Sequence, residues 1–184
     1  MEFRVITLPV FIGVMVTLMV SMLGFSQTNK TKTTKGVEYL QHVKENVGAL
    51  DLGGGLALET SKEAVFKKLN KSEANLINNV YLDGENGFIY RISKGSKSMG
   101  DLEPEKFRIT YIISNIEPVS REDIIIIFGN DYKARTLRGY EFLEYTYKNS
   151  DKRNLKLVFE ESDEKGYFTS VLLYFQPLGQ NLLS

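Results

Sequence analysis

The chain has 184 residues, among them 23 basic and 23 acidic side chains and no cysteine. Because the charges balance, composition gives no electrostatic reason to expect a nucleic acid or an anionic membrane surface as a partner. The absence of cysteine excludes a disulfide scaffold, a thiol nucleophile and a thiolate metal site, so a stable fold has to rest on a hydrophobic core. Ten tyrosines and eleven phenylalanines, within a hydrophobic content of 42%, can supply that core.

The first 26 residues predict a signal peptide that is removed on export. Val5–Phe25 is an uncharged apolar segment that follows Arg4, and small residues lie at Gly24 and Ser26, as a cut between Ser26 and Gln27 requires. This ending resembles exported proteins of the Bacteroidetes, in which serine or alanine followed by glutamine often flanks the cut. We therefore expect a protein of the periplasm or the extracellular space. The alternative is an inner-membrane anchor through residues 5–25, since about 20 apolar residues can span a bilayer, and this is the only membrane contact that we expect.

The next segment predicts a linker and then a helix. Residues 27–36 are polar and rich in threonine and lysine, which predicts a disordered linker. Aliphatic residues then recur at helical spacing and predict an amphipathic helix over 37–47. The only histidine, His42, would lie on the surface of that helix, and a single histidine excludes a metal site built from a histidine cluster.

An internal repeat relates two short segments that lie 59 residues apart, at positions 61 and 120. Ser61–Asn70 aligns without gaps on Ser120–Gly129, and both begin with serine, a basic residue and glutamate. Serine caps a helix by accepting a backbone N–H bond, and asparagine or glycine can take the left-handed conformation that ends one. The pattern therefore predicts two short helices, although the β-branched run Ile124–Ile127 would also fit a buried strand.

Alternating apolar residues predict a group of antiparallel strands after each short helix. The predicted strands are residues 88–92 and 107–113 in the first half, and 140–148, 155–160 and 168–175 in the second. The sequence thus predicts an α+β fold of two related units, each a short helix followed by an antiparallel β-meander. The units would cover residues 37–115 and 116–176, with a tail over 177–184.

The stretch Val119–Tyr174 resembles a known family. It opens with Ser-Arg-Glu-Asp-Ile and Phe-Gly, continues with the strand Glu144–Tyr147, and ends with a hairpin that contains Leu-Val-Phe, Gly166 and Ser-Val. These features are similar to the helix-plus-meander unit of β-lactamase-inhibitor-like proteins, which small outer-membrane assembly lipoproteins share. The resemblance implies a tandem of two such units in a non-enzymatic protein that binds another protein through its sheet face.

Motifs that could carry chemistry are incomplete. Gly53–Gly55 lacks the third, spaced glycine of a dinucleotide-binding loop, so it predicts an ordinary loop. Gly95–Gly100 has the spacing of a phosphate-binding loop, but Asp101 stands in place of the lysine. Asp83–Gly87 lacks the later ligands of a calcium loop and predicts a turn before a strand. We therefore predict no catalytic residue, no cofactor and no metal ligand.

The face of the sheet opposite the core is the predicted partner surface. Alternation assigns six residues of the last two strands to the core, namely Leu155, Leu157, Phe159, Val171, Leu173 and Phe175. It assigns six others to the opposite face, namely Lys156, Val158, Leu172 and Tyr174, joined by Arg91 and Arg108 from the first half. Apolar and aromatic side chains on a solvent-facing sheet side would mark a contact with a protein partner. The alternative is that the 37–47 helix or the other unit covers this face.

These observations favour a non-enzymatic protein-binding module of the periplasm or cell surface, with a protein of unknown identity as its partner. Two other functions stay open at this point. One is a small secreted hydrolase or ligand-binding protein with an unrecognised pocket. The other is an immunity protein against a secreted toxin, which the size, the acidic hairpin tips and the export signal would fit.

Overall fold

The computed structural model describes residues 33–72, 76–84, 86–94, 106–148 and 153–177, all within the unit Thr31–Leu178. The predicted cut between Ser26 and Gln27, the loop 95–100 and the tail after Pro177 lie outside these ranges.

The helices are α1 (Thr33–Asn46), which continues into a 3-10 turn (Val47–Ala49), α2 (Lys62–Leu69) and α3 (Arg121–Phe128). The strands are β1 (Val80–Asp83), β2 (Phe88–Lys94), β3 (Phe107–Ser120), β4 (Tyr132–Leu137), β5 (Tyr140–Lys148), β6 (Arg153–Glu161) and β7 (Tyr167–Pro177). The longest helix, α1, has 14 residues, and within the described ranges no helix is both long and apolar enough to cross a membrane.

Seven antiparallel strands form one sheet in the order β1-β2-β3-β7-β6-β5-β4. The first three strands follow α2 as a meander, and the last four follow α3 as a second meander. The two meanders join through their last strands, because β3 pairs with β7 and places Ile113 opposite Leu172. The α+β class that the sequence predicts is therefore confirmed.

One face of the sheet, which we call the core face, carries the hydrophobic core. The six residues of β6 and β7 that alternation assigns to the core are all buried in it, which confirms that assignment. The helices pack on the same face through Leu40 and Val43 of α1, Val65 of α2, and Ile124 and Ile127 of α3. Burial of a large aliphatic side chain stabilises a fold by about 1.5–3 kcal/mol, so this packing holds the helices in one layer.

Helix α1 begins at Thr33, inside the segment 27–36 that the sequence predicts as disordered, and for residues 33–36 that prediction is wrong. Threonine and glycine are weak helix formers, and these residues show no apolar periodicity, so the sequence does not predict the first turn of α1. Tertiary packing explains it. Gly36 lies so close to β3 that a Cβ atom there would be 2.6 Å from Val119 Cγ1.

Helices α2 and α3 begin and end as the internal repeat predicts. Ser61 Oγ accepts the backbone N–H of Ala64 at 3.3 Å. Ser120 Oγ accepts the N–H of Asp123 at 3.1 Å, while the Asp123 carboxylate accepts the N–H of Ser120 at 3.2 Å, which completes a capping box. Asn70 ends α2 with a left-handed φ of 51°. The run Ile124–Ile127 is therefore helical rather than a strand.

The sequence pattern does not predict the strands β1 and β4 or the last part of β3. β1 has only four residues, and β4 exposes most of its side chains, so neither shows a clear alternation. β3 continues to Ser120 and so runs through the boundary predicted between residues 115 and 116. Pro118 lies where the pairing of β3 with β7 shifts register, between Asn115 and Val119. A proline is tolerated at such an irregularity because it has no N–H to donate.

Candidate functional site

The outer face of the sheet, opposite the core face, carries a row of apolar side chains on five adjacent strands. The register places them in the order Leu82, Ile89, Ile113, Leu172 and Val158, and we call these five residues the apolar row. Side chains directly opposite each other on antiparallel strands lie about 4.5–5.5 Å apart. The row therefore forms a continuous hydrophobic strip from β1 to β6.

A buried ion pair lies at one end of the apolar row. Lys156 Nζ donates to Glu144 Oε1 at 2.6 Å and to Thr146 Oγ1 at 2.7 Å. Lys156 and Glu144 are only 7% and 4% exposed, and Glu144 lies opposite Val158 on the neighbouring strand. Since removal of two charges from water is costly, such a pair is tolerated only when hydrogen bonds satisfy both groups. The apolar row therefore ends at Val158, next to an ion pair that two hydrogen bonds hold in place.

Aromatic side chains form a second row beside the first. Tyr174 lies opposite Lys156 and stacks on Tyr111 with ring centroids 5.3 Å apart. The Arg91 guanidinium lies 5.7 Å from the centre of the Tyr111 ring, a cation–π contact. Burial raises the pKa of Tyr111 and of Tyr174 above the usual value, so both phenols keep their protons at an alkaline pH at which a solvent-exposed tyrosine ionises.

Glu160 of β6 also lies on the outer face, two residues beyond Val158. Burial raises the pKa of its carboxyl to about 7, against the opposing effect of a hydrogen bond from Ser170. The Ser170 hydroxyl donates to Glu160 Oε2 at 3.1 Å, and the register places Phe142 of β5 directly opposite Glu160. The charge of this side of the outer face therefore changes around neutral pH.

Of the six residues predicted as a partner surface, five lie together on the outer face. Val158 and Tyr174 are each 3% exposed and Lys156 is buried, whereas Leu172 and Arg91 are half-buried. Arg108 does not join them, because it is buried in an ion pair with Glu59 of the loop before α2. The exposed part of the predicted surface is therefore limited to Leu172 and Arg91.

Several residues of the outer face are missing from the sequence prediction. Ile89 and Ile113 lie in strands that the alternation predicts, and extending the same alternation to the first half would have assigned them to this face. Tyr111 and Glu144 are different, because their roles depend on partners in other strands. The predicted meander makes β5 and β6 neighbours, but no local pattern reveals that β3 pairs with β7 or in which register any two strands pair.

A second charged cluster joins the two halves of the chain. Glu59 accepts a hydrogen bond from Arg153 Nη1 at 2.9 Å, and its other carboxylate oxygen lies 3.0 Å from Arg108 Nε. Both arginines are buried, and the Arg153 guanidinium lies 4.2 Å from the centre of the Phe175 ring. Arg108 belongs to β3 and Arg153 to β6, so one loop carboxylate connects both meanders.

Within the described ranges, no group of three or more histidine, aspartate or glutamate side chains is arranged to hold a metal ion. Comparison of the chain with protein-family models, with curated proteins and with solved structures finds no match in any of the three.

Proposed function

We propose that this protein is an exported, non-enzymatic binding module of the periplasm or cell surface, and that it binds another protein through the outer face. The observation that carries the proposal is the apolar row, which lies on the face opposite the one where the helices pack. A sheet side that faces solvent normally alternates toward polar residues. A continuous apolar strip on that face is the arrangement expected of an interface core.

The size of the sheet supports a protein partner rather than a small ligand. Seven strands spaced about 4.8 Å apart span roughly 30 Å, which suits the area of about 800 Å² that each partner buries in a standard interface. Leu82 is 43% exposed, and Ile113 and Leu172 are half-buried, so these three offer the accessible part of the apolar row. The partner would present an apolar patch of matching width.

We also propose that the two meanders belong to related units, as the likeness to β-lactamase-inhibitor-like proteins implies. The helix caps Ser61 and Ser120 are 59 residues apart, and so are Ile113 and Leu172, which lie directly opposite each other at the junction of the meanders. A two-fold axis through that pair would relate β3 to β7 and α2 to α3. In this arrangement β4 would be an additional strand of the second unit.

The test of the binding proposal is site-specific crosslinking in the native envelope. A photo-crosslinking amino acid replaces Leu172 in one variant and Ile126 in the matched control, since Ile126 is 80% exposed on α3. We expect a discrete crosslinked partner from position 172 only, and loss of that partner when Ile113→Asp is added to a variant that still folds. Equal crosslinking from both positions, or none from position 172, would contradict the proposal.

Export has its own test. We expect the secreted protein to begin at Gln27, which mass spectrometry of its N-terminal peptide would detect. An intact Met1 in the membrane fraction would favour the anchored form instead.

A further inference from the structure

The strand β4 lies at one edge of the sheet and pairs on one side only. All six of its residues, Tyr132–Leu137, pair with β5 without a register shift. On its other side, the described part of the chain contributes no strand, because β4 ends the sheet order. An edge strand of this kind presents a row of backbone N–H and C=O groups that another extended segment can use.

The two charged side chains of β4 are both basic, whereas the acidic Asp131 directly precedes the strand. Lys133 and Arg135 are on the strand, and Arg138 follows in the turn to β5. The opposite edge differs, because β1 has four residues and ends at the acidic Asp83. Pairing of two β4 strands from two copies of this chain would bring like charges together, and like charges opposite each other destabilise a sheet. The edge therefore favours a partner strand of opposite charge.

Arg135 lacks a close acceptor for its guanidinium. Its nearest carboxylate oxygen, Glu144 Oε2, is 3.8 Å from Nη2, and the other oxygen of Glu144 already accepts from Lys156 at 2.6 Å. The Arg135 Nε atom is buried and has no hydrogen-bond partner among the described residues. A buried donor without an acceptor is costly, and a carboxylate is its strongest acceptor.

We propose that β4 accepts an extended, acidic segment of a partner protein as an additional antiparallel strand. One carboxylate of that segment would lie across from Arg135 and bind its guanidinium, and a second, two residues away on the same face, would lie near Lys133. This edge adjoins the outer face, because Arg135 Nη2 lies 3.8 Å from Glu144 Oε2. The two contacts are still tested separately: crosslinking from position 172 tests the apolar row, and peptide binding followed at the β4 amides tests the edge.

The experiment uses the whole chain after export and a synthetic heptapeptide that alternates glutamate and valine. Binding is followed by NMR through the backbone amides of Tyr132–Leu137. Two further peptides carry N-methyl groups, one on every glutamate and the other on every valine. A strand uses alternate residues for pairing along one edge, so we expect one methylated peptide to lose binding and the other to keep it. A lysine–valine peptide should not bind.

Two variants test the role of charge at the edge. We expect Arg135→Gln to weaken binding of the glutamate peptide about tenfold, since charge-assisted hydrogen bonds are the strong ones. Lys133→Gln, at an exposed position, should weaken binding less, and it keeps the test valid if Arg135→Gln does not fold. Lys67→Gln, on the exposed side of α2, is the matched control and should leave binding unchanged.

Four results would overturn the proposal. They are the absence of binding at millimolar peptide, equal binding of both methylated peptides, equal binding of the lysine peptide, and dimerisation of the protein through β4 in sedimentation experiments. Equal binding of the two methylated peptides would mean that the peptide binds by charge attraction and not by backbone pairing with β4. Dimerisation through β4 would mean that a second copy of this chain, and not an acidic segment of another protein, pairs with the edge.

Discussion

Arg153 and Glu59 are 94 positions apart in the chain, and a hydrogen bond of 2.9 Å joins their side chains. Glu59 has a left-handed φ of 69°, and its N–H donates to the carbonyl of Ile109 at 2.9 Å, so the backbone of β3 holds the loop that presents the carboxylate. Because Arg108 shares the same carboxylate, the loop before α2 ties β3 to β6.

Replacement Glu59→Gln should lower the free energy of unfolding by about 3 kcal/mol, since it leaves two buried guanidinium groups without their shared counter-charge. Denaturant unfolding followed by circular dichroism measures this loss. Glu63→Gln, at an exposed position of α2, is the control and should change stability by less than about 0.5 kcal/mol. If both variants unfold at the same midpoint, Glu59 does not join the two halves as described.

Gly36 provides a test of how α1 packs on β3. Alanine at this position should destabilise the protein by about 1–2 kcal/mol, because the added Cβ overlaps Val119 and overpacking exceeds the gain in helix propensity. Gly48→Ala is the matched control, since no atom lies within 4 Å of a Cβ there, and it should be neutral or stabilising. Val119→Ala removes the overlap but also core contacts, so the double variant should lose less stability than the sum of the two single losses. Additive effects of the two substitutions in a double-mutant cycle would contradict the contact.

Because Lys156 and Glu144 form a buried ion pair, replacing one of them should cost more stability than replacing both. Lys156→Met should cost about 3 kcal/mol because it leaves the Glu144 carboxylate buried without its main partner. Combining Lys156→Met with Glu144→Gln removes the uncompensated charge and should restore more than half of that loss. Lys148→Met, at an exposed position of β5, should be close to neutral. Thermal unfolding of the unmodified protein, of Lys156→Met and Glu144→Gln as single variants, and of the double variant decides between coupled and independent effects.

Two neighbouring glutamates should give opposite pH dependences of stability. Burial raises the pKa of Glu160 to about 7, above its unfolded value, so its unfavourable effect is absent at low pH and grows as the pH rises from about 4.5 to 7. Glu160→Gln should therefore stabilise the protein at pH 8, by up to about 3 kcal/mol, and change little at pH 4. Unfolding midpoints at both pH values measure the difference.

Glu161 is the control for that experiment. Burial acts to raise the pKa of Glu161, but hydrogen bonds from Lys165 and from the N–H groups of Gly166 and Glu141 lower it below the usual value. Its contribution is present above the unfolded pKa and is lost as the pH falls through the folded pKa. Glu161→Gln should destabilise the protein at pH 8 and have little effect at low pH. If both variants change the stability at pH 8 in the same direction, the opposite pKa shifts of Glu160 and Glu161 are refuted.

The features that the sequence predicts well are local ones. The caps of Ser61 and Ser120 act within three residues, and the strand Tyr140–Lys148 has the predicted bounds because turn-forming residues, Gly139 and Asn149, flank it in the sequence. β4 is missed because an edge strand exposes side chains on both faces and needs no apolar pattern. The first turn of α1 is missed because a contact with Val119, 83 positions away from Gly36, holds it in place.

On the outer face, too, the sequence predicts the features that depend on one strand and misses those that depend on the pairing of strands. Alternation within one strand predicts that Lys156, Val158, Leu172 and Tyr174 share a face, and they do. Tyr111 comes from β3, whose pairing with β7 does not follow the order of the strands in the chain. Glu144 comes from β5, the hairpin neighbour of β6, and the register of that hairpin places it beside Lys156. Periodicity gives neither the register of a hairpin nor the burial of one face, so the burial of Lys156 in an ion pair could not be predicted.

The buried tyrosines make the protein an optical reporter of its own unfolding. The chain has no tryptophan, so tyrosine dominates its near-ultraviolet absorbance and emission. Burial raises the pKa of Tyr39 to about 12 and holds those of Tyr111 and Tyr174 above the usual value. In mild alkali these phenols stay neutral in the folded chain, whereas an unfolded chain ionises them. At a fixed alkaline pH, the additional tyrosinate absorbance that appears on unfolding therefore reports loss of the fold without dye, label or added chromophore.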